Sequence, residues 1–461
     1  MRDLAFSVAL ALVFGLTTLA EAAPMSDLDT LLEQLSVDLE VRDRPSWPEP
    51  PTSRLEVVLV PQAGLDGSHV VSFGLPFGPG WLDDDALIRV TGPDGTEIPV
   101  FAEPLASWWI DGDKGSLRSV LVQFEMAFES ADPVRVTITW DGGRTGARPE
   151  KTPVTETQVS LRFDPPPDST EAESFDYRRP KVLALLPADW LCASLIVWQQ
   201  VPIAANRVAP WFDEHLASSF EGSLRTISGT EFSVHLFDRP ATYAKMYVRS
   251  GEKEHLLAAL QSIDFCLQHL GPDGFFDLKS YKDVKYVFTE GFAVLYMLTG
   301  DERFLDGIER ALKAWETHTR IEYRGEGFWT ERHHGFGMMA YLHAYEISGD
   351  RKLLDKAKRY FEAAYSMQIE PRHGGRPDGA WLRTRSSGGE RGPDAWITSP
   401  WMSAFLADAI WKYWMLTGDP RAPASLAMYS KFTQRRSIAP TGDAIYYLTA
   451  SEGYGDSVAA G

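Results

Sequence analysis

From Leu55 onward, apolar and polar positions alternate at period two in short runs: Leu55-Glu-Val-Val-Leu-Val, Val70-Val-Ser-Phe, Leu87-Ile-Arg-Val, Leu117-Arg-Ser-Val-Leu-Val-Gln-Phe and Val134-Arg-Val-Thr-Ile-Thr-Trp. Turn signals such as Gly92-Pro-Asp-Gly and Asp141-Gly-Gly separate them. Short strands so spaced predict an antiparallel β-barrel or sandwich over residues 55–163. The Pro-rich residues 23–54 read as a lead-in, and the Pro-rich, charged stretch 164–180 as a linker. From residue 181 the period lengthens to that of an amphipathic helix almost to the end. Helical pairs are expected near 240–269, 286–318, 332–366 and 399–433. Residues 181–230, with Leu183–Trp198 and Trp211–Phe220, are candidates for another pair.

Four of these helices share one ending. Met246-Tyr-Val-Arg-Ser-Gly-Glu, Tyr296-Met-Leu-Thr-Gly-Asp, Tyr345-Glu-Ile-Ser-Gly-Asp and Trp414-Met-Leu-Thr-Gly-Asp place glycines at 251, 300, 349 and 418. The steps are 300 − 251 = 49, 349 − 300 = 49 and 418 − 349 = 69 residues. Glycine past a helix end supplies the left-handed turn, and the acid after it can cap the next helix. A two-helix unit cannot bury its apolar face alone and must stack on its neighbours. The expected fold is therefore multidomain β + α: an N-terminal antiparallel β-barrel or sandwich, then an α/α toroid of helical hairpins over 181–461. The ring is either closed or left incomplete with the β domain over the gap.

The N-terminus changes the picture of where the chain works. Arg2, the apolar run Leu4–Leu19 and Ala20-Glu21-Ala22 read as a signal peptide over residues 1–22, cleaved before Ala23. The alternative is an uncleaved anchor helix. No later segment is apolar enough to span a membrane, so a secreted or periplasmic protein is expected. The net charge of −19 argues against a nucleic-acid partner. Cys192 and Cys266 read equally as one disulfide or as two buried thiols. No Cys/His spacing calls for structural zinc, no HExxH is present, and no motif calls for a cofactor.

Within the β region, Phe73-Gly-Leu-Pro-Phe-Gly-Pro-Gly-Trp-Leu is followed by Gly92-Pro-Asp-Gly-Thr-Glu-Ile-Pro-Val, then by Ala102-Glu-Pro-Leu-Ala-Ser-Trp-Trp-Ile-Asp-Gly-Asp-Lys-Gly-Ser-Leu-Arg-Ser-Val-Leu-Val-Gln-Phe. This pattern resembles the N-terminal barrel domain of the exo-rhamnogalacturonan lyase group and its YetA-like relatives. The third motif departs from the group's pattern: Asp113-Lys114-Gly115 interrupts it, and Ser119 stands where an aromatic is expected. The resemblance implies a barrel ahead of a six-hairpin-glycosidase-like toroid that carries the active site.

In a ring of hairpins the inner helices run the same way, so the loops before them converge on one face and expose backbone N–H groups there. Those loops are His235-Leu-Phe-Asp-Arg239, Tyr286-Val-Phe-Thr-Glu290, Trp329-Thr-Glu-Arg-His-His334 and Asp394-Ala-Trp-Ile-Thr-Ser399. They supply the candidate catalytic residues Tyr286, Glu290, Glu331, Arg332, His333 and His334. Candidate substrate-binding residues are Asp238, Arg239, Trp329, Arg376, Arg385, Asp394, Trp396 and Trp401. Successive helical residues point about 100° apart, so His333 and His334 cannot face one ligand together. Each candidate has a structural reading beside the chemical one: Glu290, Asp238 and Asp394 as acids at a helix start, Thr289 as a cap, and Trp401 as packing.

Arg372, Arg376, Arg383, Arg385 and Arg391 reverse the local charge between residues 370 and 391. Arginine suits a carboxylate, so an acidic polysaccharide or oligosaccharide is the expected partner, against internal pairing with the acidic body. The leading expectation is a lyase acting on a uronic acid by β-elimination, with Arg332 and Arg385 neutralising the carboxylate, His333 or His334 as base and Tyr286 as proton donor. The alternatives are a glycoside hydrolase using carboxyls from Glu290, Glu331, Asp238 and Asp394, and a noncatalytic glycan-binding protein.

Overall fold

The computed structural model describes residues 32–33, 43–169, 171–318, 321, 330–370, 379–385, 395–438, 445 and 448–449. The expected signal peptide and the loop residues Trp329, Arg372, Arg376, Arg391 and Asp394 lie outside them.

Antiparallel sheets come first. Strands β1 (Arg54–Pro61), β2 (Gly67–Pro76), β3 (Arg89–Thr91), β4 (Glu97–Ile98), β5 (Val100–Ile110), β6 (Asp113–Phe128), β7 (Val134–Thr139), β8 (Gln158–Phe163), β9 (Phe175–Pro180) and β10 (Val182–Leu185) precede the helices. One sheet has the order β10-β1-β7-β3-β4, a second β2-β6-β5, and β8 pairs with β9. Leu55, Val57 and Leu59 of β1 share a core with Val71, Phe73 and Leu75 of β2 and Val136 and Ile138 of β7. No closed barrel forms among the described residues.

The structure departs from the sequence pattern in two places. The stretch 164–180 is not all linker, because β9 at its end pairs with β8 over Gln158–Phe163. The apolar run from Leu183, read as helical, begins as β10 on the edge of β1, and only the six-residue helix α1 (Ala188–Ala193) follows. Four residues of mixed branched and unbranched apolar type carry no period of their own; pairing with β1 decides their state.

The helical part begins in earnest with α2 (Pro210–Leu224). Among the described residues four hairpins follow: α3 (Arg239–Ser250) with α4 (Lys253–His269), α5 (Glu290–Thr299) with α6 (Arg303–Glu316), α7 (Glu331–Ser348) with α8 (Arg351–Ile369), and α9 (Pro400–Thr417) with α10 (Arg421–Arg436). Helices α5, α7 and α9 are buried nearly all round, whereas α6, α8 and α10 bury one stripe, so the first helix of each pair is the inner one. Each inner helix ends on its repeat glycine with φ of 72°, 69°, 68° and 64° at Gly251, Gly300, Gly349 and Gly418. Asp301, Asp350 and Asp419 then accept the backbone N–H two residues on, at 3.1, 2.9 and 3.0 Å. Glu252, the fourth acid in the series, makes no such cap.

The glycine ends rest on the sheets, which satisfy carbonyls that a helix end leaves open. Ser119 Oγ donates to the Met297 carbonyl at 2.6 Å, Asp111 N to the Leu416 carbonyl at 2.8 Å, and the Tyr247 hydroxyl accepts from Leu186 N at 2.9 Å. Gly74 of β2 is what lets α5 come this close, because a Cβ there would overlap the same Met297 carbonyl. Sheet β2-β6-β5 is therefore covered on both faces, and Leu117–Phe124 is buried at every position rather than alternating. The opposite, N-terminal ends of the inner helices face away from this base.

Among the described residues no helix is long and apolar enough to cross a membrane. Cys192 and Cys266 are both free thiols.

Candidate active site

Side chains from all four inner helices meet in one polar interior. Lys245, in the middle of α3, donates to Glu290 Oε2 at 2.6 Å across the α3–α5 boundary. The hydroxyl of Thr289 pairs with His343 Nδ1 of α7 at 3.0 Å instead of capping α5. Glu346, one turn further along α7, accepts from Lys412 Nζ of α9 at 2.8 Å, from Trp198 Nε1 at 2.6 Å and from Arg118 Nη1 of β6 at 2.5 Å. Asp408 lies one turn before Lys412 on α9, where Lys245, Glu290 and Lys412 all act on its charge. Lys245 is the open member, with 37% of its side chain exposed against 17% for Glu290, so this is where the interior meets solvent.

The carboxyls here are pushed apart. Burial alone would raise Glu290, but Lys245, with His343 and Lys412 behind it, brings it down to about 2. Burial raises Asp408 to about 6, with Lys245 opposing and Glu290 reinforcing the shift. Asp238 also rises to about 6, by burial and then by the Glu290 charge. Glu346 falls well below the usual carboxylate range, since Arg118 and Lys412 outweigh its burial. Burial, partly offset by Glu346, pulls Lys412 down from its ordinary value.

Above the charges sits a collar of phenylalanines, one from each inner helix or the residues leading into it. Phe237 stacks on Phe405 at 5.7 Å, Phe405 meets Phe336 at 4.9 Å, and Phe336 meets Phe288 edge-on at 5.1 Å. Phe405, Asp408 and Lys412 fall at i, i+3 and i+7, so α9 presents an aromatic and then two charges along one face. Phe237 is 40% exposed, which makes the collar the outer rim. Phe237 also bridges the first and last inner helices.

The residues anticipated from the sequence divide between these places. Glu290 belongs to the interior. Asp238 caps α3 through Ala241 N at 2.9 Å and ties it to α5 through Gly291 N at 3.1 Å. Arg239 holds the Thr226 and Val234 carbonyls at 2.6 and 3.0 Å, an anchoring position. Tyr286 lines a cavity of about 30 Å³ with Phe237, Asp238 and Phe288, room for about one water.

A second group forms around Tyr286. The Lys279 ammonium lies 4.5 Å from its ring centroid, and Asp283 Oδ1 lies 3.9 Å from His333 Nε2. His333 Nδ1 pairs with Thr330 Oγ1 at 2.5 Å, and burial lowers the imidazole to about 4. Burial also pushes the Tyr286 phenol up. His334 points the other way, onto the Tyr360 carbonyl of α8 at 2.6 Å. The two imidazoles diverge as helix geometry requires.

The remainder is enclosed. Glu331 is fully buried, taking Arg383 Nε at 2.9 Å on one oxygen and Ser399 N and Thr398 Oγ1 at 2.7 and 3.1 Å on the other. That geometry ties α7 to the short strands β11 (Arg383–Thr384) and β12 (Trp396–Thr398), the strand that carries Trp396. Arg332 lies over the Trp401 ring at 5.2 Å, and Arg385 is buried with its N–H on the Ala395 carbonyl at 2.8 Å. Trp401 in turn packs edge-on against Phe405 at 6.4 Å.

Lys245, His343, Glu346, Asp408, Lys412 and Arg118 were not anticipated. Their signal is faint: Asp408 and Lys412 at i, i+4 read as a solvated helix pair. The clue was that both interrupt an otherwise apolar inner helix, Phe405-Leu-Ala-Asp-Ala-Ile-Trp-Lys-Tyr. No group of residues suited to a metal ion occurs among those described.

No family model matches the sequence, and no curated protein matches it. Solved structures superpose on parts of it. A GH76 α-mannanase from Bacteroides thetaiotaomicron shares 13% identity at a TM-score of 0.35, covering 45% of this chain and 59% of its own. A cellobiose 2-epimerase from Spirochaeta thermophila shares 15% at 0.35, covering 47% and 61%. A polysaccharide lyase shares 13% at 0.29, covering 86% and 60%. This chain therefore spans 59–61% of the length of each.

Proposed function

We propose that this chain is an exported carbohydrate-active enzyme of the α/α-toroid kind, hydrolysing a glycosidic bond in the polar interior with Asp408 as general acid and Glu290 as the ionised partner. The observation that carries the reading is an arrangement of carboxyls: Glu290 is bonded to Lys245 at 2.6 Å, and Asp408 lies one turn before Lys412 on the inner helix α9, so that Glu290 is drawn down to about 2 and Asp408 rises to about 6. Hydrolysis of a glycoside needs one carboxyl that keeps a proton to give to the leaving oxygen and another that stays charged to activate water or meet the developing cation. Between pH 2 and 6 the two groups hold those states together. The phenylalanine collar supports a sugar ligand, because an aromatic face stacks on the apolar face of a pyranose. The β-region motifs over residues 73–124 and the signal-peptide pattern expected over residues 1–22 support an exported glycan enzyme.

Uronate β-elimination is the second reading, favoured by the group at Tyr286. A neutral His333 held beside Asp283 supplies a base, the phenol a proton donor and Lys279 or Arg332 a charge for the carboxylate. Neutral and acidic polysaccharides incubated with the protein separate the two. Hydrolysis yields new reducing ends without absorbance from an unsaturated uronate, whereas elimination yields both. D408N and E290Q are expected to cost roughly 10²–10⁴ in turnover. New reducing ends from D408N at the wild-type rate would refute the acid assignment. A panel with no chain shortening at all, but retained binding, would leave the protein a glycan binder.

A further inference from the structure

Arg118 is the one cation in the interior network, among the described residues, that comes from the sheets. It sits on β6, 228 positions from its partner Glu346, with 1% of its side chain exposed. Its guanidinium lies 4.4 Å from the Trp108 ring centroid and 5.8 Å from that of Trp198. Trp198 Nε1 donates to the same Glu346 oxygen, Oε1, and Lys412 holds the other. Glu346 is thus shared between a cation of the sheets and a cation of α9, and Lys412 is one turn from Asp408.

We propose that Arg118 is a positioning residue of the helical site: by holding Glu346, it determines how much of the Lys412 charge is left to act on Glu290 and Asp408. The proposal rests on the reading of those carboxyls as the reacting pair. Glu290 faces Lys245 and Asp238 from α3 and its cap, His343 from α7, and Lys412 and Asp408 from α9. Asp408 faces Lys245, Glu290 and Lys412. Glu346 faces Arg118, Lys412, His343 and the Trp198 indole. With Arg118 in place, Glu346 is doubly compensated and Lys412 keeps a net attraction for its other neighbours. Without Arg118, Glu346 claims Lys412, and both Glu290 and Asp408 lose positive potential.

A merely structural arginine, pinning the sheets to α7, makes no prediction about sign, and the sign is the test. Protein carrying [4-¹³C]aspartate is titrated by NMR as wild type, R118M, R118K, E346Q and R118M/E346Q. R118M is expected to raise the Asp408 midpoint by roughly half a pH unit to one unit. E346Q is expected to lower it by a similar amount, because Lys412 is then unopposed, and the double variant returns towards wild type. R118K, which keeps the charge, restores most of the wild-type midpoint. If R118M does not fold, E346Q and the double variant carry the same comparison. An Asp408 midpoint that stays fixed across the variants that fold, or moves one way in all of them, overturns the proposal. The titration needs no turnover, so a wild type inactive on every glycan would sink the hydrolase reading and leave this coupling to stand or fall by itself.

Discussion

Of the four repeat glycines Gly349 lies tightest against the sheets, and replacing it by alanine separates two costs. The first is conformational: at φ 68° an added Cβ is unfavourable by about 1–2 kcal/mol. The second is contact. A Cβ on Gly349 would sit 2.5 Å from Trp109 Cδ2 and nearer still to Cε2 and Cζ2, where carbon pairs settle at about 3.5–4.0 Å. The indole belongs to β5 and cannot swing clear as a methyl would, so overpacking adds roughly 1–3 kcal/mol. Gly349→Ala is therefore expected to destabilise by about 2–5 kcal/mol in total. Gly64 is the control: its φ is 80°, but nothing lies within 4 Å of where a Cβ would stand, so Gly64→Ala carries only the first cost. Gly300→Ala should fall between them, because its nearest neighbour at 2.8 Å is the mobile end of Leu121. Urea unfolding followed by tryptophan fluorescence and far-ultraviolet dichroism ranks the three. Equal losses at Gly64 and Gly349 would show that the sheets do not press on the repeat turn.

Stability should fall on acidification. His235, His333 and His334 are each lowered to about 4 by burial, and His343 is lowered as well, so their neutral forms support the fold fully above the ordinary value of 6.5 and the contribution is lost as pH falls towards 4. The raised carboxyls of Asp238, Asp408 and Asp264 act oppositely, gaining stability as pH falls, but burial lowers His255 as well, so they are three against five; thermal unfolding from pH 7 to 4 should show a falling midpoint, and a rising one would contradict the burial of the imidazoles. Asp350→Ala removes a cap and should cost about 1 kcal/mol, whereas Glu252→Ala, which caps nothing, should be close to neutral by the same urea assay. For an active glycan, the rate should decline as pH rises through about 6, when Asp408 gives up its proton, and D408N should abolish that limb.

The hairpins were readable because their signal is local and repeated. Each inner helix ends on a glycine that no other residue replaces cheaply, and an acid follows it at a fixed offset. The starts were nearly as plain: Pro400, after Ser399, can open a helix but not continue one. Strand β10 was not readable, since Val182–Leu185 is decided by β1, more than 120 residues earlier. The interior charges failed for the same reason. A lysine in α3 or an aspartate in α9 reads as one more solvated charge until the neighbouring helices fold over it. The loops before the inner helices held Tyr286 and Glu290, yet the charge that makes Glu290 unusual comes from Lys245, in the middle of another helix.

The placement of the sheets decides which end of the interior can admit a ligand. Carbonyls at the C-terminal ends of α5 and α9 are taken by Ser119 and Asp111, and the glycine turns lie against Leu186, Leu121, Trp109 and Arg44. Trp198 and Arg118 then bond to Glu346 at the sheet side, so the lower end is occupied by side chains that are themselves bonded. The other end has Phe237, 40% exposed, and Lys245, which keeps more than a third of its side chain open. A ligand entering from that side passes an apolar rim before it reaches the charges, and the first cation it meets, Lys245, is bonded to Glu290 and acts on the charge of Asp408. A larger residue at the rim tests this order of events. Phe405→Trp should weaken binding of an intact oligosaccharide, measured calorimetrically, while the Asp408 titration stays unchanged; a shifted titration with unaltered binding would place the entrance elsewhere.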